Sequence, residues 1–338
     1  MTTRIVTGSS ALLFKLGAMF LDADYLADPY PGARPDVSFV HSDGQGIELR
    51  SATDALADGI PVFSYGSNAC PSKISWLRRE LGLPGPVTVL RVHCTGLAAV
   101  WASTLRVRDG QRPATLAAMP GRTETHAVWM ATPEQIAVLD VCEGRGERYR
   151  LARLRTGQIR TEDGVLLPGV FAYVGATEIR MPLLVDGALV PCADVAQAQA
   201  MGLTGGPGPD GLDATTVSGI PQVDDWPEQV FVYGTLQPTG TTWDIAAPWS
   251  VGEPVKAELT GTLYDTGLGW PALRLTGADP VPGFLVTLRS PSAAFAVLDE
   301  YEGSEYRRVR VVLADGTPCW TYEWIAPVEG LPTLPRGW

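Results

Sequence analysis

The sequence predicts an α+β fold, mostly strand with few short helices, laid down twice along 338 residues. Three observations carry this reading. Two motifs recur in the same order: Val62-Phe63-Ser64-Tyr65-Gly66-Ser67-Asn68 answers to Val230-Phe231-Val232-Tyr233-Gly234-Thr235-Leu236, and Leu139-Asp140-Val141-Cys142-Glu143-Gly144 to Leu298-Asp299-Glu300-Tyr301-Glu302-Gly303. The separation from Tyr to Glu is 78 residues in the first copy (65 to 143) and 69 in the second (233 to 302), so the period is that of a domain and not of a solenoid. Finally, β-branched and aromatic runs ending in Gly read as strand then turn, and helical spacing shows once per repeat. A mixed sheet or small barrel with few helices follows, and the length suits two domains of roughly 150 residues each.

Residues 1–60 have no counterpart in the second half and form an N-terminal extension, broken by the turn signals Pro29-Tyr30-Pro31-Gly32 and Asp43-Gly44. Within it, residues 11–21 are apolar apart from Lys15. The run is too short to span a bilayer and lacks a following cleavage site, so a buried or docking helix is expected there. The first domain is expected over 61–178, opening on a strand at Pro61–Tyr65. Residues 179–227 then hold an apolar piece (MPLLVDGALV), a helix-like piece (ADVAQAQAMGL) and a Gly/Pro-rich linker at 205–211. The second domain is expected over 228–338, with strands at Gln229–Tyr233, Val255–Tyr264, Gly283–Leu288, Arg308–Leu313 and Cys319–Ile325. The repeated helix is expected over Thr132–Leu139 and Ser290–Leu298, each opened by an N-cap residue and a Pro at the first helical position. Glu143 and Glu302 should then lie just past a helix C-terminus.

Composition narrows the functions. A net charge of −11 argues against a nucleic-acid surface, which needs clustered Lys and Arg. The five cysteines are odd in number and show no C-x-x-C spacing, which suits reduced thiols and a cytoplasmic setting. His41, His93 and His126 lie far apart without ligand spacing, so no metal site is expected. From about residue 225 on there is no histidine at all, so whatever the second copy does, it does without imidazole.

Carboxylates and a glycine loop are what both copies share. A strand ending in Gly and a small hydroxyl residue can turn its backbone N–H groups toward one point, as an anion or oxyanion cradle; a tight turn alone would also explain Gly66 and Gly234. Glu143 and Glu302 follow an apolar Leu-Asp segment. In an apolar pocket such a carboxylate has a raised pKa and suits acid/base work near neutral pH; a surface Glu at a helix end is the simpler alternative. Glu-Gly stands in both copies although the residues just before it differ. The Leu-Asp pair has its own plain explanation, a core Leu with Asp fixing the turn by side-chain to backbone bonds. Tyr149 and Tyr306 either orient the carboxylate and line the pocket or are half-buried strand tyrosines. Pro113-Ala114 and Pro271-Ala272 suggest a shared pocket wall, and Trp243, Trp249 and Trp270 could wall a pocket in the second domain.

Together, Tyr-Gly-Ser-Asn or Tyr-Gly-Thr-Leu, Pro-Ala-(Thr)-Leu, Val281-Pro282-Gly283 and Leu-Asp-x-x-Glu-Gly followed by Tyr-Arg resemble the γ-glutamylcyclotransferase-like superfamily, including γ-glutamylamine cyclotransferases and AIG2-like proteins. The second repeat resembles it more closely than the first, whose His126 stands where the second copy has Gly283. The resemblance implies two tandem domains, each a small mixed β-barrel with few short helices. It places the acid/base residue on Glu143 and Glu302. It places the substrate-holding loop on Tyr65, Gly66, Ser67 and Asn68, and on Tyr233, Gly234, Thr235 and Leu236, with a pocket tyrosine at Tyr173 and Tyr322. The implied substrate is a γ-glutamyl amide, cyclised to 5-oxoproline with release of an amine and without a cofactor.

Two other readings stand beside this one. One is a related amide-cleaving or acyl-transfer enzyme of specialised metabolism; the other is a non-catalytic module binding an amino-acid-like ligand. No nucleic-acid or membrane partner is expected. The oligomeric state is left open, a covalent tandem being compatible with a monomer. If one site alone works, the second is favoured for its cleaner motif.

Overall fold

The computed structural model describes residues 16–338. These form two compact units: residues 222–338 with 56–58, and the described residues up to 55 with 59–221.

The larger unit runs β1 (Leu16–Leu21), β2 (Phe39–Ser42), β3 (Gln45–Leu49), β4 (Ile60–Ser64), α1 (Pro71–Leu81), β5 (Val87–Trp101), β6 (Ala114–Ala131), α2 (Pro133–Glu143), β7 (Tyr149–Leu154), β8 (Gln158–Thr161) and β9 (Phe171–Gly175). Shorter pieces follow: β10 (Leu183–Val185), β11 (Ala188–Leu189), α3 (Gln197–Ala200), β12 (Gly206–Pro207) and β13 (Ala214–Thr216). One sheet takes the order β1-β3-β2-β5-β6-β4-β9-β7-β13, with β8 also on β5. Strands β10, β11 and β12 make a separate small sheet.

The smaller unit runs β14 (Gln229–Val232), α4 (Trp243–Ala246), β15 (Val255–Asp265), β16 (Pro271–Thr287), α5 (Pro291–Glu302), β17 (Tyr306–Val312) and β18 (Pro318–Trp324). Its sheet has the order β15-β16-β14-β18-β17, with β14 and β18 parallel and the other pairs antiparallel. The stretch β5-β6-β4-β9-β7 of the larger sheet repeats this order, with β4 and β9 its one parallel pair.

Alternation along β14 explains the two cores of the smaller unit. Val230 and Val232 point to one face, where they meet Phe295, Leu298 and Trp320 under α5. Phe231 and Tyr233 point to the other and meet Leu259 and Leu263 of β15 and Val309 and Val311 of β17. The sheet therefore curls until side chains from its two edge strands share one core. It is nevertheless not the closed barrel expected from the resemblance, because β15 and β17 are joined by those side chains and not by a hydrogen-bond ladder. Instead the C-terminal tail covers β15, with Leu334 N donating to Leu263 O at 2.8 Å.

Other expectations are corrected in detail. Residues 16–21 of the supposed docking helix are strand β1, while 11–15 lie outside the described residues. Gly17 weakens a helix there, and Phe20 finds Tyr25 and Phe39 as edge-on ring partners and lies opposite Gly46, where a Cβ would come within 2.0 Å of its ring. MPLLVDGALV forms the β10–β11 hairpin, its turn made by Asp186 and Gly187 at φ 50° and 80°. The helix-like piece after it yields only the four residues of α3. Helix α1 was not foreseen, although Pro71 at its start, buried Ile74 and Leu77, and Gly82 in the left-handed region at its end are local signals for it.

Candidate active sites

Both repeated helices run farther than expected, so Glu143 and Glu302 are their last helical residues and not the residues beyond. The glycine that follows explains the stop. Gly144 takes φ 63° and ψ 57°, and a Cβ there would meet the Arg148 guanidinium at 2.6 Å. Arg148 needs that space: its Nε donates to Glu143 O and its Nη2 to Cys142 O, both at 3.0 Å, satisfying the helix end. Gly303 takes φ 71° and ψ −168°. The helix thus delivers each carboxylate at its C-terminus, where the macrodipole disfavours negative charge.

Each Glu lines a cavity with the Tyr-Gly loop of its own unit. In the larger unit this cavity, of about 580 Å³, holds Tyr65, Gly66, Ser67, Asn68, Glu143, Tyr149 and Tyr173. In the smaller unit a cavity of about 170 Å³ holds Tyr233, Gly234, Thr235, Leu236, Glu302, Tyr306 and Tyr322. The structure therefore brings the loop and tyrosine candidates of each copy together with its glutamate, six beside Glu143 and six beside Glu302. Trp270 joins the second cavity, whereas Trp243 and Trp249 pack on the core instead.

Three tyrosine contacts recur. The Tyr65 hydroxyl donates to Tyr173 O, and that of Tyr233 to Tyr322 O at 2.7 Å, tying the loop strand to the parallel strand beside it. Tyr149 donates to Ala114 O at 2.9 Å and Tyr306 to Pro271 O at 2.6 Å, so these hydroxyls grip the cavity wall and not the glutamate. Tyr173 donates to Asp140 Oδ1 and Tyr322 to Asp299 Oδ1, each at 2.7 Å. The Leu-Asp pair is explained by this: Leu139 and Leu298 are core, and Asp anchors the pocket tyrosine instead of the helix turn.

The glycines of the loops serve close approach and not a left-handed backbone. A Cβ on Gly66 would lie 3.0 Å from the Tyr30 hydroxyl, and on Gly234 2.9 Å from Pro271. Among the described residues, no acceptor is assigned to the N–H groups of Ser67, Asn68, Thr235 and Leu236.

The two carboxylates differ in their surroundings. Asn68 Nδ2 donates to Glu143 Oε1 at 2.8 Å. Burial raises the Glu143 pKa, and Asn68, Lys73, Arg148 and Arg180 oppose the rise in part. Leu236 replaces Asn68 in the second copy and offers no hydrogen bond. There burial, with the like charge of Asp299, pushes Glu302 up to about 8.

Residues 230–338, about a third of the chain, match the family model described as gamma-glutamyl cyclotransferase, AIG2-like. The second unit is a domain of that family. Among solved structures the chain is similar to a uropathogenic E. coli-specific protein (18% identity, 32% of this chain, 88% of that one, TM-score 0.29). It is similar to an uncharacterized protein from Pyrococcus horikoshii (19%, 32% and 85%, 0.27) and to YkqA from Bacillus subtilis (13%, 70% and 74%, 0.23). No curated protein matches the chain. No helix among the described residues is long and apolar enough to cross a membrane.

Residues of the first cavity absent from the sequence reading include Tyr30 and a set of cations, Lys73, Arg106, Arg108, Arg148 and Arg180. Tyr30 lies in the unmatched N-terminal stretch and accepts from Ala114 N at 3.0 Å. Nothing local marked it. Arg148 alone had a signal, since it stands between the Glu-Gly and Tyr-Arg motifs.

Proposed function

We propose that the chain cleaves γ-glutamyl amides by cyclisation, with Glu143 and Glu302 as acid/base groups in two duplicated domains. The observation that carries this is a carboxylate with a raised pKa on the wall of each cavity, beside a loop in which two amides have no assigned acceptor among the described residues. The match of residues 230–338 to the cyclotransferase family supports the reaction class, and the shared strand order of the two units supports the duplication.

In this reading the loop amides hold the glutamyl carboxylate or the oxygen that becomes anionic during attack. The α-amine nitrogen attacks its own γ-carbonyl carbon. Glu takes a proton from that nitrogen as the lactam C–N bond forms. It then gives the proton to the departing nitrogen as the amide C–N bond breaks. The products are 5-oxoproline and a free amine, and atoms and charge balance without an added reactant. Tethering of nucleophile to electrophile supplies much of the rate, so the protein's task is to fold the glutamyl chain and move one proton. Incubation with a panel of γ-glutamyl amides, read as 5-oxoproline by mass spectrometry, tests this. Glu302→Gln separates catalysis from mere binding, because it should end turnover in the second cavity while ligand is still retained there.

A further inference from the structure

The larger unit holds another cavity, of about 170 Å³, that shares no lining residue with the one beside Glu143. Arg34, Asp36, Phe39, Val89, Arg91 and His126 are on its wall. His126 is 8% exposed, and its ring stands edge-on to Phe63. Its Nε2 lies 2.8 Å from Glu124 Oε2. Burial pushes the Glu124 pKa up, but bonds from His126, Arg122 and Ala99 N together hold it below its ordinary value. Burial lowers the His126 pKa, against the pull of Glu124. The imidazole is therefore neutral near neutral pH, with its proton on Nε2 and a lone pair on Nδ1. Among the described residues Nδ1 is buried and has no hydrogen-bond partner, an arrangement that costs stability until a donor arrives. The cavity is about ten times the roughly 15 Å³ that one water requires.

Arg34 supplies the complementary donors. Its one assigned hydrogen bond runs from Nη2 to Tyr65 O at 2.9 Å, so further guanidinium N–H groups have no assigned acceptor. Glu124 acts on Arg34 by charge, but its oxygens are already taken, Oε1 by Arg122 at 2.6 Å and Oε2 by His126 and by Ala99 N at 3.0 Å. Arg91 is paired with Glu162 at 2.6 Å. The Arg34 charge is felt at His126, which disfavours an ammonium as the donor to Nδ1. The arrangement belongs to the first copy. Ser64 pairs with Ala127 and Val232 with Phe284, so His126 and Gly283 hold matching places in β6 and β16. A Cβ at Gly283 would come within 2.6 Å of the Phe231 ring, which leaves no room for an imidazole. Arg34 lies in the N-terminal stretch that has no counterpart in the second half.

We propose that this cavity is a separate ligand site, for a small acid with a neutral N–H or O–H donor on the carbon that bears its carboxylate. The donor meets His126 Nδ1 and the carboxylate meets Arg34. A lactam N–H beside a carboxylate, as in 5-oxoproline, and an α-hydroxyl beside a carboxylate, as in lactate, share this chemistry. Choosing 5-oxoproline as the occupant rests on the cyclotransferase reading, because that reaction would make it; the site itself does not.

The test titrates the full ¹⁵N-labelled chain with 5-oxoproline, lactate, N-methyl-5-oxoproline and 5-oxoprolinamide, and follows the imidazole nitrogens by NMR. The chain has three histidines, so the His126 ring can be assigned by ring-to-backbone correlations and reports on this cavity alone. 5-Oxoproline should move the Nδ1 resonance saturably toward its hydrogen-bonded position. The N-methyl probe, which lacks the donor, and the amide, which lacks the carboxylate, should each bind about tenfold or more weakly. Arg34→Gln should weaken 5-oxoproline about tenfold at the same reporter, and the probe series on the unsubstituted chain decides the matter if that variant does not fold. A His126 ring that responds to no probe, or equally to all four, overturns the proposal even if 5-oxoproline is formed from γ-glutamyl amides. Lactate bound in preference to 5-oxoproline upholds the site and overturns 5-oxoproline as its occupant. A responding His126 in a chain that releases 5-oxoproline from no amide upholds the site and overturns the cyclotransferase reading instead.

Discussion

At Glu302 three effects act in one direction: burial, the negative end of α5 and the neighbouring Asp299 all favour the protonated acid. Its pKa of about 8, against the ordinary 4.5, has consequences for both activity and stability. As a general base it must be ionised, so turnover in the second cavity should rise with pH to a plateau above about 8, measurable as kcat/KM in a Glu143→Gln background. Asp299→Asn removes a like charge and should move that limb to lower pH. For stability the sign is opposite to that of an ordinary salt-bridged acid. Between pH 4.5 and about 8 the folded state binds more protons than the unfolded state, so Glu302 destabilises the fold increasingly as pH rises through this window. Glu302→Gln should remove that slope, leaving the variant more stable than the parent at pH 9 by an amount on the order of a few kcal/mol. Denaturant unfolding at pH 6 and pH 9 measures it. At this scale the sequence was informative because acid and loop are each short motifs present twice, whereas the pocket tyrosines Tyr173 and Tyr322 came from the family resemblance. It was silent on Tyr30 and most of the cations, which stand in no shared motif and reach the cavity only through long-range packing.

The element that matters most is the short helix ending in Glu-Gly. Its start is fixed by Thr132, whose hydroxyl caps Gln135 N at 3.3 Å, and by the adjacent Pro133. Its end is fixed by Gly144, and its burial by Leu139. Gly144→Ala should cost about 1–2 kcal/mol, from the left-handed backbone and the crowded Arg148, and it should lower activity in the first cavity by displacing Glu143. Leu298→Ala, at a fully buried position under the second sheet, should cost about 2–5 kcal/mol and act on fold before chemistry. Thermal unfolding of the two variants beside their turnover tells the cases apart. These helices were legible because cap, Pro, apolar spacing and Gly are local signals. The strands β1, β10 and β11 were harder, since a short apolar run takes its conformation from the partner that pairs with it.

For the whole molecule, the proposed duplication predicts two chemically similar but independent centres. Glu143→Gln and Glu302→Gln should each leave the activity of the other unit, and their effects should add when the panel is assayed amide by amide. The outline of an α+β chain with repeated motifs was visible in the sequence; the open edges of the sheets were not. Closure depends on whether distant edges such as β15 and β17 meet through backbone or through side chains, and alternation within a strand does not encode that. The most direct measurement is 5-oxoproline release from a γ-glutamyl amide panel by the parent chain and by the Glu143→Gln/Glu302→Gln double variant. Acid/base catalysis by the two glutamates predicts product from the parent and its loss in the double variant with the fold intact. Full activity in the double variant, or no product from the parent with any amide, would contradict the account.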